Sequence, residues 1–488
     1  MKDIVLTTVN AKWIHPSLAL RLLKANLGRL EERCEIIEFN LRQPLAEKTK
    51  PLLEANPRIL GISVSIWNHL AAVELLKELE KNWNDKPVIV LGGPEVSHLP
   101  PEAEIFKHVD YVIRGEGETA FRLLCEDILL NDKYIFPYNT PCSSVTSAAN
   151  NLCEIKPAYH LYTDEDLHRK LVYVESSRGC PFKCEFCLSS VKTEGQAVRE
   201  FELDQFFDQM DTLIQRGAGT FKFLDRTFNL NIPRSLRIID FFLDKIKNHS
   251  SLRTAHSSFA VPFVVHFEMI PLNFPPELIE ALARFPPGTL RLEIGIQTLN
   301  AETAWLLKLP GRNQHDDSQK ILKTLSLLRK KTNAIIHADL IAGLPGESVD
   351  SFGEGFDRLW RALNDADFEA KGHAEIQPGI LKLLPGTPVS RHIERYKMRF
   401  NSLPLYEIEE SSLICTDDLR RIKNFSRFWE LIMNRGLVNA AKLAEKTMNI
   451  SIFLEFLNLS DRLFDYFGKN WGIDKNELIV KLKEENFI

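Results

Sequence analysis

Short β-rich runs alternate with stretches of helical periodicity twice along this chain, over residues 1–130 and again from Leu171. That alternation restricts the fold to α/β architectures with parallel strands, because two parallel neighbours need a crossover long enough to hold a helix. In the first run the candidate strands are Asp3 to Thr8, Glu35 to Phe39, Ile59 to Ser65, Val88 to Leu91 and Tyr111 to Ile113. Between the first two, Leu20, Leu23, Leu27 and Leu30 recur at spacings of three and four, giving one apolar helix face to pack on a sheet. The expectation is a doubly wound, Rossmann-like sheet. Ligands of such sheets bind in the loops after the strand carboxyl ends. Here those loops carry Asn10, Lys12 and Trp13, then Ser63, Ser65 and Trp67, then Gly92, Gly93 and Glu95, then Arg114, Gly115 and Glu116. Gly92-Gly93 lets a backbone approach a ligand closely, and Gly115-Glu116-Gly117 turns a strand sharply into the helix near Glu118. No G-x-G-x-x-G follows the first strand, so a dinucleotide site is not supported.

Residues 131–170 hold several prolines and a Ser143 to Ser147 polar cluster with no sustained period, which reads as a linker. From Leu171 the expected strands are Leu171 to Glu175, Thr220 to Leu224, Phe263 to Phe267, Leu290 to Ile296, Ile335 to Ile341 and Ile376 to Leu383. Six such βα units over 171–395 make a partial (β/α)6 barrel, a TIM-barrel relative whose chemistry sits at the strand carboxyl ends. Asp225, Glu268, Glu293, Gln297 and Asp339 stand there. Residues 396–488 turn helical, with Phe425, Trp429 and Ile432, then Phe453, Phe456, Phe464 and Phe467, at helical spacing. Aromatics in that pattern build a core rather than a base-stacking platform. The expectation is a helical carboxyl-terminal domain that caps the barrel mouth, with Arg420, Arg421, Lys423 and Arg427 as a solvated basic face.

The cysteines are unevenly placed. Three of the eight fall in Cys180-Pro181-Phe182-Lys183-Cys184-Glu185-Phe186-Cys187, too concentrated for a disulfide framework in a chain of this size. Structural zinc wants four closed ligands, and the stretch that follows offers no fourth Cys or His. Three thiolates on an iron-sulfur cluster leave one iron open. The spacing C-x3-C-x-aromatic-C resembles the signature of the radical S-adenosylmethionine (SAM) enzymes. That resemblance implies a [4Fe-4S] cluster on Cys180, Cys184 and Cys187, with SAM chelating the open iron and Phe186 covering one side. Cys34, Cys125, Cys142, Cys153 and Cys415 are dispersed, as in a reducing compartment.

A βα domain with strands ending in Gly92-Gly93-Pro94 and in Val112-Ile113-Arg114-Gly115-Glu116-Gly117-Glu118, followed by that cysteine loop, resembles the cobalamin-binding class of radical SAM enzymes over residues 1–395. Asn10 to Leu20 and Glu175 to Cys180 resemble one subgroup of it whose carboxyl-terminal domain has no assigned function. The class implies SAM contacts by Phe186, Asp225, Glu268, Glu293, Gln297 and Asp339, and cobalamin in the first domain. His15 lacks the Asp-x-His-x-x-Gly surroundings of a cobalt-ligating histidine, so base-off binding without a histidine ligand is expected.

The activity implied is methylation of an unactivated carbon or a phosphinate. An sp3 carbon has no lone pair with which to attack SAM, so a radical must first remove hydrogen. Cyclases and rearrangement enzymes of the same class are the first alternative, and a non-catalytic corrinoid-binding protein is another. A methylthiotransferase needs three further cysteines in the first domain, where only Cys34 and Cys125 stand. The partners implied are a small-molecule or lipid-like substrate and an electron donor such as flavodoxin or ferredoxin. A net charge of -5 gives no pull toward nucleic acid, and the chain has no apolar run of membrane-spanning length. A cytoplasmic protein is expected.

Overall fold

The computed structural model describes residues 2–83, 85–130, 143–146, 152–191, 197–252, 263–312, 317–364, 371–447 and 450–488. Cys142 and part of the expected linker lie outside them. The chain forms two compact units, Met1–Gly179 with Lys192–Leu224 and Leu384–Gly386, and Cys180–Val191 with Asp225–Leu383 and Thr387–Ile488.

The first unit holds strands β1 (Ile4–Asn10), β2 (Cys34–Asn40), β3 (Ile59–Ser63), β4 (Val88–Gly92), β5 (Tyr111–Arg114) and β6 (Ser143–Thr146). They form one sheet in the order β2-β1-β3-β4-β5-β6, with parallel pairing throughout. Alternate residues feed two cores. Val5, Val9, Leu60, Ile62, Ile89 and Leu91 join Leu75, Leu76 and Leu79 of the helix His69–Asn82 on one side. Ile4, Leu6, Ile59, Val88 and Val90 join Leu20, Leu27, Leu30 and Phe121 on the other. A sheet covered on both faces needs continuous apolar strands, which is how these read. Leu23 packs against the second core as well, although the helix Leu18–Ala25 ends early and Leu30 sits in a following 3-10 turn. The polar strand β6, Ser-Ser-Val-Thr, was expected to be linker, and the helix Asp164–Arg169 with its Thr163 capping box adds further structure to that segment. Strands Val172–Val174 and Thr220–Phe223 pair in parallel in the same unit.

The second unit carries four parallel strands, Val264–Met269, Leu290–Gln297, Ile335–Ala342 and His373–Ile380, each paired with the next. The last begins three residues before its expected start, Ile376. Phe267, Leu292, Ile294, Ile296, Ile336, Ala338 and Leu340 are buried. The helices Pro276–Ala283, Ser318–Lys331 and Val349–Leu363 supply buried Leu278, Leu282, Ile321, Leu325, Phe352 and Phe356 to this unit. Strand residues of the opposite parity are polar, and they form the candidate site.

The carboxyl-terminal region opens with a small antiparallel pair, Arg399–Phe400 with Ile408–Glu410, before the expected helices begin at Thr416. Phe425, Trp429, Phe453 and Phe456 interlock with Phe356, the Phe356–Trp429 ring centroids lying 4.7 Å apart and the Trp429–Phe456 centroids 4.8 Å. Aromatic packing of this kind adds stability beyond area burial. The basic residues are engaged. Arg420 pairs with Asp417, Arg421 with Asp461 and Lys423 with Glu407, while Arg427 Nε donates to the Asn470 carbonyl.

Candidate active site

The cysteine loop is built by its backbone. Gly179 has φ +100°, and a Cβ there would lie 3.1 Å from the Ala197 carbonyl oxygen, so glycine fits where other residues strain. The Cys187 amide donates to the Cys184 carbonyl, and the Ser190 amide and hydroxyl both donate to the Cys187 carbonyl. Cys184 and Phe186 pack against the apolar cluster of Leu307, Leu344, Leu381 and Val389. Burial pushes the Cys184 thiol up to about 12, and Cys187 and Cys180 add to the shift, so Cys184 lies within electrostatic reach of both. No set of three or more His, Cys, Asp or Glu side chains among the described residues is gathered around a common point as a metal site.

Between Cys184 and Cys187 sits Glu185, 1% exposed. Its amide donates to the Leu307 carbonyl at 3.1 Å, and its carbonyl accepts from Val389 at 2.8 Å. Its carboxylate accepts from Arg391 Nε at 2.7 Å, meets His392 Nε2 at 2.8 Å and lies 3.3 Å from Lys308 Nζ. The loop is thus clamped at backbone and side chain.

The expected strand-end residues do share a face. Glu268 lies opposite Glu293, which lies opposite His337, which lies opposite Glu375. One step along, Gly295, Asp339 and Gln377 line up. Gln297 has φ +67° at a register shift, and its side chain folds back over Gly295. A non-glycine residue held there is strained, a feature that clusters at binding sites. Glu268 lies 3.6 Å from Arg226, and Glu293 lies 3.0 Å from His266. Asp225, following the Thr220–Phe223 strand, is buried. Four residues that sequence reasoning had not singled out join this region. His266 and His337 stack at 5.8 Å, and the His337 ring meets the carboxylate of Glu375 at 3.1 Å. Glu347 is buried, accepts from Thr298 at 2.5 Å and has its pKa pushed up to about 8 by burial. Period-two counting from Glu268 would have found the strand residues.

The amino-terminal loops divide differently. Glu95 is buried and pairs with His69 at 2.9 Å. Arg114 donates to the carbonyls of Val96, Ser97 and Leu99. Glu116 pairs with Arg178 and Arg199, and Arg178 also holds Glu118 and Glu175. Asn10 Nδ2 donates to Glu38, the Ser63 carbonyl accepts from Thr8, and the Ser65 amide donates to Asn68. Gly93, at φ +108°, packs directly against the Val64 backbone, and the Gly92 carbonyl accepts from the Val64 amide. These groups brace the loops. Trp13, Ile14, Leu41, Trp67 and Leu70 are exposed, Lys12 is exposed, and Gly115 has open space where a Cβ would be. His15 meets the Tyr173 hydroxyl at 2.7 Å, a structural contact.

A model of the radical SAM superfamily matches residues 174–359, and a model of the B12 binding domain matches residues 4–125. The chain joins a B12 binding domain to a radical SAM domain. It is homologous to cobalamin-dependent radical SAM methyltransferases. TokK of Streptomyces tokunonensis, a protein of that description, is 23% identical over 376 residues, 73% of this chain and 51% of TokK. An uncharacterized methyltransferase of Pyrococcus horikoshii is 29% identical over 239 residues, 46% of this chain and 51% of that protein. The chain therefore spans about half the length of the curated relatives it matches. Among solved structures, the cobalamin-dependent SAM radical enzyme OxsB, with aqua-cobalamin and SAM bound, aligns over 98% of this chain and 74% of its own with a TM-score of 0.62 and 16% identity. TsrM of Kitasatospora setae, with cobalamin and a [4Fe-4S] cluster bound, aligns over 81% of this chain and 75% of its own with a TM-score of 0.57 and 17% identity. At these identities the likeness is one of fold.

The radical SAM domain implies a [4Fe-4S] cluster and SAM, and the B12 binding domain implies cobalamin. The residues present fit these groups. Three cysteines on one clamped loop supply the thiolates that a cluster with an open iron needs, although their side chains do not converge on a single-metal site. Carboxylates and an amide on one strand face suit the ammonium and ribose hydroxyls of SAM, which are hydrogen-bond donors. Exposed indoles at the sheet edge suit a broad apolar macrocycle.

Proposed function

We propose that the chain is a cobalamin-dependent radical SAM methyltransferase acting on an unactivated carbon, or a phosphinate, of a small-molecule or lipid-like substrate. The observation that carries the reading is the clamped Cys180–Cys187 loop in a chain whose first sheet is a B12 binding domain. In this reading Cys180, Cys184 and Cys187 bind iron as thiolates and Phe186 shields one side. Asp225, Glu268, Glu293, Gln297 and Asp339 orient SAM, and Trp13, Trp67, Lys12, Gly92, Gly93 and Gly115 form the corrin side, with Asn10, Ser63, Ser65, Glu95, Arg114 and Glu116 holding the loops that present them. When bound, the three cofactors supply radical hydrogen abstraction and methyl transfer; the protein positions the groups and keeps water away. Residues 1–130 are proposed as the cobalamin-binding domain, 171–395 as the radical SAM barrel and 396–488 as the cap. Dispersed cysteines and a cluster held by thiolates support a cytoplasmic location, with an electron donor such as flavodoxin or ferredoxin as partner.

Product analysis tests the reading. The anaerobically reconstituted, reduced protein, given SAM and candidate substrates, is expected to form 5'-deoxyadenosine and S-adenosylhomocysteine together, because one SAM is cleaved and another remethylates cobalt. 5'-Deoxyadenosine without S-adenosylhomocysteine would indicate a rearrangement enzyme or cyclase instead. No SAM cleavage at all would indicate a corrinoid-binding protein.

A further inference from the structure

The Glu185 clamp has an outer side. Lys308 and Arg391, which hold the Glu185 carboxylate from one end, expose about half of their own side chains, 55% and 50%. Arg395 follows one turn after Arg391, its guanidinium 5.2 Å from the Tyr396 ring, and it is exposed. Arg391, Arg395 and Lys308 all bear electrostatically on His392, which itself touches Glu185, so the three cations share one small region. Lys183, on the cysteine loop, and Lys397 are also exposed. Arg395, Lys183 and Lys397 have no carboxylate partner among the described residues. The exposed anions of the region, Glu302 and Glu394, are fewer than its cations.

Beside these cations lies a shallow cavity of about 350 Å³ whose lining includes Glu302, Thr303, Trp305, Gly346, Arg395 and Tyr396. Trp305 is 49% exposed at its rim. An exposed indole next to an arginine with no carboxylate partner is the composition that anchors protein–protein contacts. The chain as a whole carries a net charge of -5, so a basic face here runs against the average. It lies, moreover, directly behind the loop that carries the cysteines, joined to it through Glu185.

Resting on the proposed function, we infer that the surface formed by Trp305, Lys308, Arg391, Arg395 and Tyr396 docks a small acidic one-electron carrier protein and so delivers reducing equivalents to the cysteine loop. In each encounter one electron passes from the reduced carrier, which is oxidised, to the cluster, which is reduced. Opposite charge on the two partners speeds such encounters, and salt screens the effect.

The test uses the full-length reconstituted protein and reduced flavodoxin as the carrier. Cluster reduction is followed by absorbance and by electron paramagnetic resonance, in wild type and in Trp305→Ala/Arg395→Glu, with dithionite as a small-molecule control. The variant is expected to be reduced by flavodoxin about tenfold more slowly than wild type, while its reduction by dithionite is unchanged and the wild-type rate with flavodoxin falls as salt is raised. Equal rates in variant and wild type, or a wild-type rate indifferent to salt, would overturn the docking surface. Failure of dithionite to reduce any cluster in wild type would instead count against the functional reading on which the surface rests.

Discussion

Two edges of this protein present polar residues at the carboxyl ends of parallel strands, and they use them differently. At the ends of Val264–Met269, Leu290–Gln297, Ile335–Ala342 and His373–Ile380, the expected polar residues remain on a single face, because strand periodicity forces alternate side chains apart. At the edge of the first sheet the expected residues sit at the last strand positions and in the loops that follow. There Glu95, Arg114 and Glu116 are consumed in bracing those loops, and the exposed surface is left to Trp13, Trp67 and their apolar neighbours. A polar residue on a strand is displayed by the backbone itself. A polar residue in a loop often makes the loop, since unpaired backbone groups there must find partners.

The largest effect short of ligand removal is expected at the clamp. Glu185→Ala leaves Arg391, His392 and Lys308 facing one another, and denaturant unfolding should show a loss of about 2 kcal/mol, the half-exposed cations being partly screened. Iron loading should fall with it. An unchanged midpoint would mean that backbone bonds alone hold the loop. Next comes the apolar edge. Trp67→Ala should weaken hydroxocobalamin binding about tenfold when titrated by absorbance or calorimetry, whereas Glu95→Gln, altering a buried brace that faces His69, should change affinity less than twofold. The reverse ranking would return the corrin contacts to the polar loop residues.

The smallest effect is a pH dependence. Glu347 has a raised pKa of about 8 in the folded chain against an ordinary value of 4.5. The folded state therefore holds a proton that the unfolded state releases first, and this contribution to stability is complete below about pH 4.5 and is lost as pH rises through about 8. Thermal unfolding should show wild type losing a few degrees between pH 6 and pH 8.5 relative to Glu347→Gln. Parallel curves for the two proteins would show that Glu347 ionises normally.

Much of the architecture was legible from the chain. Ten of the eleven expected strands fall within two residues of those observed, because apolar strands between polar loops carry a clear period. The final barrel strand starts at His373 rather than Ile376, since His373-Ala374-Glu375 is polar on its inner face and Pro378-Gly379 interrupts the β signal. Strand β6 was invisible for a related reason. It is a short, polar edge strand, the kind that avoids unwanted pairing. The cysteine triad was legible from spacing, but the clamp was not, because Glu185 meets Arg391 and His392 across about two hundred residues of chain, and no local pattern encodes a contact that distant.

Two cofactor sites in one chain are expected to depend on different residues. The most direct measurement is anaerobic reconstitution with iron, sulfide and hydroxocobalamin, followed by absorbance spectra and iron and cobalt analysis of wild type beside Cys184→Ala. Wild type should hold one four-iron cluster and one corrin per chain, and the variant should lose the cluster while keeping the corrin. Corrin absent from wild type, or a cluster that survives in the variant, would contradict it.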